Sequence, residues 1–135
     1  MRKILLLLLI SILCAGCKNT SKVDLPISND IIISNIHVEE SYILHYTIKN
    51  NSKSHYGLYD ENIEYFDGKS YQPTKEKKSR KAINKIIKGG ETLELTIDLN
   101  EKYYIEKDGA YRIVIFLHNN ESDNNEKAVR DFKLN

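Results

Sequence analysis

Four histidines, His37, His45, His55 and His118, are the side chains best suited to holding a metal in this 135-residue chain, because imidazole nitrogens bind copper and zinc. No two stand at i, i+2 or i, i+4, so their spacing matches no metal motif, and neither a metal nor another cofactor is expected. Nucleophilic catalysis would need a serine or cysteine activated by a histidine and a carboxylate, and the chain has no Gly-x-Ser-x-Gly elbow to present one. The paired carboxylates Glu39-Glu40 and Asp60-Glu61 are adjacent in sequence. On a strand they would face opposite sides, and at a turn they would be solvated, so neither pair is placed for general acid–base work. The chain is not expected to be an enzyme.

Binding chemistry is better represented. Lys75-Glu76-Lys77-Lys78-Ser79-Arg80-Lys81, followed by Lys85 and Lys88, is the densest run of charge. Such a run either meets an anionic surface, lipid or polymer, or is a solvated loop whose lysines discourage sheet-to-sheet aggregation. Nine tyrosines exceed what a small core needs, and exposed tyrosines are common at protein interfaces. Tyr56, Tyr59 and Tyr71, with Lys77, Lys78, Arg80 and Lys81, are the expected partner surface, suited to a protein or carbohydrate ligand.

The first residues concern address. Arg2 and Lys3 form a positive n-region, Ile4 to Leu13 a ten-residue run apolar except for Ser11, and Ala15-Gly16 a small-residue site before Cys17, the layout of an export signal. About 20 apolar residues are needed to span a bilayer, so a permanent anchor helix is the weaker reading. Leu13-Cys14-Ala15-Gly16-Cys17 resembles the bacterial lipoprotein lipobox, with Cys14 where leucine is usual. The resemblance implies a diacylglycerol on the Cys17 thiol and cleavage before Cys17, with palmitate among the acyl chains of the anchor. Residues 1–16 are then the signal peptide, 17–29 a lipidated polar tether containing Pro26, and 30–135 one domain. With Cys14 removed and Cys17 acylated, the mature chain has no free thiol or disulfide, and its core alone must hold it. Loss of Arg2 and Lys3 leaves 18 basic against 19 acidic residues, a charge of −1, without the clear basic excess that nucleic-acid binding calls for, so that partner is not expected. The expected place is the bacterial cell envelope, with outer membrane or cell surface permitted because Lys18, not aspartate, follows Cys17.

The elements that must position these residues read as strands. Tyr42 to Lys49 alternates, with Tyr42, Leu44, Tyr46 and Ile48 on one face, and Thr92 to Leu99 does so more cleanly through Leu93, Leu95, Ile97 and Leu99. Asp30–Val38, Ile63–Phe66, Lys69–Gln72, Ala110–Leu117 and Ala128–Leu134 read as further strands, and Ala82–Ile87 as a strand or one to two helical turns. Asp67-Gly68 signals a hairpin, Gly89-Gly90 a turn, and Asn119–Asn125 an exposed polar loop. Seven or eight short strands without a long helix predict an all-β, immunoglobulin-like antiparallel sandwich. Asp108-Gly109-Ala110-Tyr111, opening an apolar strand, places Tyr111 as a structural tyrosine corner.

Four blocks carry a wider resemblance: Lys49-Asn50-Asn51-Ser52 with Tyr56-Gly57, Ile63 to Lys69, Ile87-Lys88-Gly89-Gly90-Glu91, and Gly109-Ala110-Tyr111-Arg112-Ile113-Val114. Together they resemble a family of bacterial immunoglobulin-like domains found in small envelope lipoproteins. Where that family usually has tryptophan after the aspartate-glycine hairpin, this chain has Tyr71. The resemblance implies a fold and an envelope address, not a reaction. The expected function is a membrane-anchored, non-catalytic binding or interaction module. The alternative is a lipoprotein inhibitor or accessory subunit of another envelope protein.

Overall fold

The cleanest alternations build the smaller of two sheets in the structure, a computed structural model that describes residues 25–77 and 83–135. Strands β1 (Ile31–Val38), β2 (Ile43–Asn50) and β6 (Thr92–Asp98) lie in the order β1-β2-β6, all antiparallel. Leu44, Tyr46 and Ile48 of β2 are buried between neighbours Ile33 on one side and Leu93, Leu95 and Ile97 on the other. His45 and Thr47 point the opposite way, as a period of two requires. A bulge between Ser34 and His37, with Asn35 at φ 49°, shifts the inward phase of β1 from Ile31 and Ile33 to Ile36 and Val38.

The larger sheet contains β3 (Tyr56–Phe66), β4 (Tyr71–Pro73), β5 (Lys85–Ile87), β7 (Gly109–Asn119) and β8 (Asn124–Leu134). Its order is β4-β3-β7-β8, and β5 pairs with the other end of the same β3 edge. One sheet thus holds the first, second and sixth strands and the other the hairpin β7-β8 against β3, the order of an immunoglobulin-like sandwich. Ile63, Ile113, Ile115 and Leu117 fill the space opposite Leu44, Tyr46 and Ile48 as one apolar core.

Several elements differ from the sequence reading. Ile63–Phe66 is only the end of an eleven-residue strand beginning at Tyr56. A second bulge between Leu58 and Asp60 moves the inward phase from Tyr56 and Leu58 to Glu61 and Ile63, which hides the strand's period. Leu99 does not end β6 but opens a single turn, α1 (Leu99–Lys102), capped by the Asp98 carboxylate accepting from Glu101 N. Of the ambiguous stretch, Lys85–Ile87 is a strand, while Ala82 lies outside the described residues. Asn119 is buried rather than part of an exposed loop. Its Oδ1 accepts from the backbone N–H of Glu121 and Ser122 at 3.0 and 3.1 Å and closes the β7-β8 turn.

At its start the described chain is already fastened. Ser28 N donates to Lys127 O at 2.8 Å and Lys127 N to Pro26 O at 2.9 Å, a short parallel pairing with β8. Residues 26–28, which fall in the expected tether, therefore pair with the domain. The proposed signal peptide and Cys17 lie outside the described residues.

Candidate binding hollow

The tyrosines expected to share a partner surface are separated by the fold. Tyr56 is 0% exposed. Its side chain points into the core and its hydroxyl donates to Asp30 Oδ2 at 3.2 Å, so it offers nothing to a partner. The inward phase of β3 before its bulge is the physical reason. Tyr59 is the bulged residue, half-buried, with its ring 6.1 Å from that of Phe116 on the outer face of the large sheet. Tyr71 sits beside Phe66, ten residues along β3 from Tyr56, which places it about 33 Å away. Arg112 lies over the Tyr71 ring at 3.8 Å and donates through Nε to Asp131 at 2.7 Å. That hydrogen bond holds the Asp131 carboxyl below the usual carboxylate range. Lys78, Arg80 and Lys81 lie outside the described residues.

Other side chains come together instead. Tyr65 continues the inward phase of β3 past Ile63, but at the end of the sandwich the opposite sheet no longer covers it, and it is 40% exposed. Tyr103 and Tyr104 follow α1 in extended conformation, so one turns in and the other out, and Tyr104 is 49% exposed. Residues 75–77 pair with this segment through Tyr104 N to Lys75 O, Lys77 N to Lys102 O, each 2.9 Å, and a Glu76–Tyr103 bridge. Lys75 and Lys77, two residues apart, therefore share a side, and both ammonium groups lie 5.2 Å from the Tyr104 ring centroid. Lys77 Nζ also donates to Asn100 O.

Tyr65, Thr74, Lys75, Tyr104, Lys107 and Tyr111 line a hollow of about 270 Å³, with Pro73 and Glu106 completing its wall. Tyr111 is fixed there because its hydroxyl donates to Lys107 O at 2.5 Å, the closure a tyrosine corner makes. Burial raises its pKa, and it stays a neutral donor. The Thr74 hydroxyl is buried and has no hydrogen-bond partner among the described residues. The expected partner surface did not include Tyr65, Tyr104 or Lys107. Their signal was the tyrosine at the end of an inward strand phase and the Tyr103-Tyr104 pair beside lysines.

A second polar group lies between the sheets. Glu61, 1% exposed, receives Lys102 Nζ at 2.9 Å and the Tyr46 hydroxyl at 3.3 Å, while Tyr103 donates to its carbonyl at 3.4 Å. Burial first, and then the Glu61 charge, push the Tyr46 pKa far above the ordinary tyrosine value. Asp60 and Glu61 do face opposite sides of β3, as adjacent strand residues must, but both are buried rather than solvated.

The histidines are spread over both ends. His37 and His45 are cross-strand partners with rings stacked at 4.7 Å, and His45 Nε2 is 2.8 Å from Glu39. His55 Nδ1 accepts from Gly89 N at 3.0 Å, and His118 lies between Asn125 and Asp123 at 2.9 and 3.1 Å. Among the described residues no three histidine, cysteine, aspartate or glutamate side chains are grouped to hold a metal, and no helix is long and apolar enough to cross a membrane.

Exposed aromatic faces beside ammonium groups are recognition chemistry. No protein-family model matches the chain, and no curated protein matches it.

Proposed function

We propose that this chain is a lipid-anchored bacterial envelope protein whose immunoglobulin-like domain is a non-catalytic binding module. The lipobox-like residues before Cys17 and the blocks resembling envelope immunoglobulin-like domains support the address. One structural observation carries the module reading: the aromatic and lysine-lined hollow lies at the opposite end of the sandwich from the point where the chain enters. Residues 26–28 run parallel to β8 beside Lys127, so the described chain starts near the β7-β8 turn. The hollow lies at the other end, beside Tyr111 near the start of β7 and Tyr65 near the end of β3. A tether there holds the domain by one end and leaves the other open to ligand.

Intact mass of the protein from the membrane fraction, wild type against Cys17→Ala, tests the reading. Diacyl or triacyl mass on the wild type, and its loss with release from the membrane in Cys17→Ala, is expected. A mass difference no larger than the cysteine-to-alanine exchange itself, with the same membrane partition for both, would remove the lipoprotein premise. Membranes used for the same measurement also separate the two kinds of module. One envelope protein co-purifying in fixed ratio would move the assignment to an inhibitor or accessory subunit.

A further inference from the structure

We infer that the hollow lined by Tyr65, Thr74, Lys75, Tyr104, Lys107 and Tyr111 takes one acidic sugar residue, a pyranose ring bearing a carboxylate or a phosphate. The inference rests on the binding-module reading and names the ligand class of that same site. Size sets the first limit. About 270 Å³ is just under the usual range of about 300–1,000 Å³ for small-molecule pockets, so a single ring and its substituent fit and a folded peptide segment does not.

Chemistry sets the second. Tyr65 and Tyr104 stay 40% and 49% exposed at the end of an otherwise closed core. The C–H face of a pyranose is flat and weakly positive, and it packs on the negative face of a phenol ring without asking for hydrogen bonds there. Lys75 and Lys77 are both held 5.2 Å from the Tyr104 centroid, and Lys107 stands on the same rim. Like charges gathered on one ring repel each other, and an anion between them relieves that repulsion. Glu106 is the one carboxylate among the hollow's lining residues, so the balance remains positive and disfavours a cationic ligand.

The test uses the full-length lipidated protein in a detergent without sugar head groups, titrated with glucuronate, glucose 6-phosphate and glucose and followed by saturation-transfer NMR. Saturable binding of an acidic sugar, at least about tenfold tighter than glucose, is expected. The stronger of the two acidic sugars distinguishes a carboxylate-bearing from a phosphate-bearing polymer. Tyr104→Ala should weaken both by about tenfold, and Lys75→Ala with Lys77→Ala should erase the preference over glucose. Thermal melting confirms that each variant is folded. Should Tyr104→Ala fail that check, Lys107→Ala, at an exposed position, stands in for it. The inference is overturned if neither acidic sugar binds saturably, if glucose binds as well, if acetate or phosphate ions compete as strongly as the sugars, or if an acetylated Asp-Glu dipeptide binds more tightly. Acyl mass on Cys17 alongside any of these outcomes would leave the envelope address standing with a different ligand.

Discussion

Glu61 shows how one residue can set the terms for its neighbours. A carboxylate that is 1% exposed would be expensive to bury alone, and the ammonium of Lys102 and the hydroxyl of Tyr46 are what make its position tolerable. Tyr46 must keep its proton to donate, and burial keeps it on far above the ordinary tyrosine range. Removing the hydroxyl with Tyr46→Phe should cost about 1–3 kcal/mol at neutral pH, the range for taking a partner from a buried acceptor. The same pKa fixes the sign at alkaline pH. Unfolded tyrosine loses its proton near about pH 10, whereas folded Tyr46 does not. Above that pH the unfolded chain therefore binds fewer protons than the folded chain, and stability falls as pH rises. Chemical denaturation at about pH 8 and about pH 11 should show a smaller alkaline loss for Tyr46→Phe than for wild type. An equal loss in both would mean that Tyr46 titrates normally. The sequence leaves Asp60-Glu61 either on opposite sides of a strand or solvated at a turn, because no local feature says that a bulge at Tyr59 turns Glu61 toward a lysine forty-one positions away.

At the scale of elements, legibility followed the period of two. β2 and β6 were plain because nothing interrupts their alternation, and the inward residues are those that the pattern named. β3 was half hidden and β1 blurred, since a single extra residue in each reverses the facing of everything beyond it. The Gly89-Gly90 turn was legible as a turn but not as a junction. Asn50, fully buried, donates from Nδ2 to Ser54 O at 2.7 Å and Lys88 O at 3.1 Å, binding the β2-β3 connection to this turn. Gly89 lies so close to that connection that an added Cβ would stand 2.5 Å from Lys53 O and 2.7 Å from its carbonyl carbon. Gly90 has open space around it but a φ of +78°. Gly89→Ala must push backbone aside and should cost about 2–3 kcal/mol, whereas Gly90→Ala meets only the left-handed penalty of about 1–2 kcal/mol. Denaturation midpoints that rank Gly90→Ala as the more damaging would mean that the two connections are not packed against each other. The candidate hollow was the least legible element of all. Lys75 and Tyr104 are brought together by a three-residue ribbon after a four-residue helix, and neither segment has a sequence period to announce it.

At the scale of the whole molecule, orientation decides what the hollow can meet. The chain between Cys17 and Pro26 is eight residues long, at most about 30 Å when extended. The sandwich is of similar length, since the eleven residues of β7 span about 33 Å. With the proposed lipid on Cys17, a tether no longer than the body it holds limits how far the domain can turn over, so the β7-β8 turn should spend more time near the bilayer than the end carrying Asp108 and Tyr104. The proposed mature chain has no free thiol, which allows a fluorophore to be placed at one position. Ser122→Cys marks the turn and Asp108→Cys the hollow end, both at exposed positions. Energy transfer to an acceptor on lipid head groups in vesicles carrying the acylated protein should be clearly stronger from position 122 than from 108. Lengthening the tether with a flexible glycine-serine insert should narrow that difference, because reach grows with the square root of added length and orientation is lost with it. Stronger transfer from position 108 would place the hollow against the membrane and turn its lysines toward anionic head groups. In that arrangement the bilayer itself, rather than a sugar polymer beyond it, would be what the hollow meets.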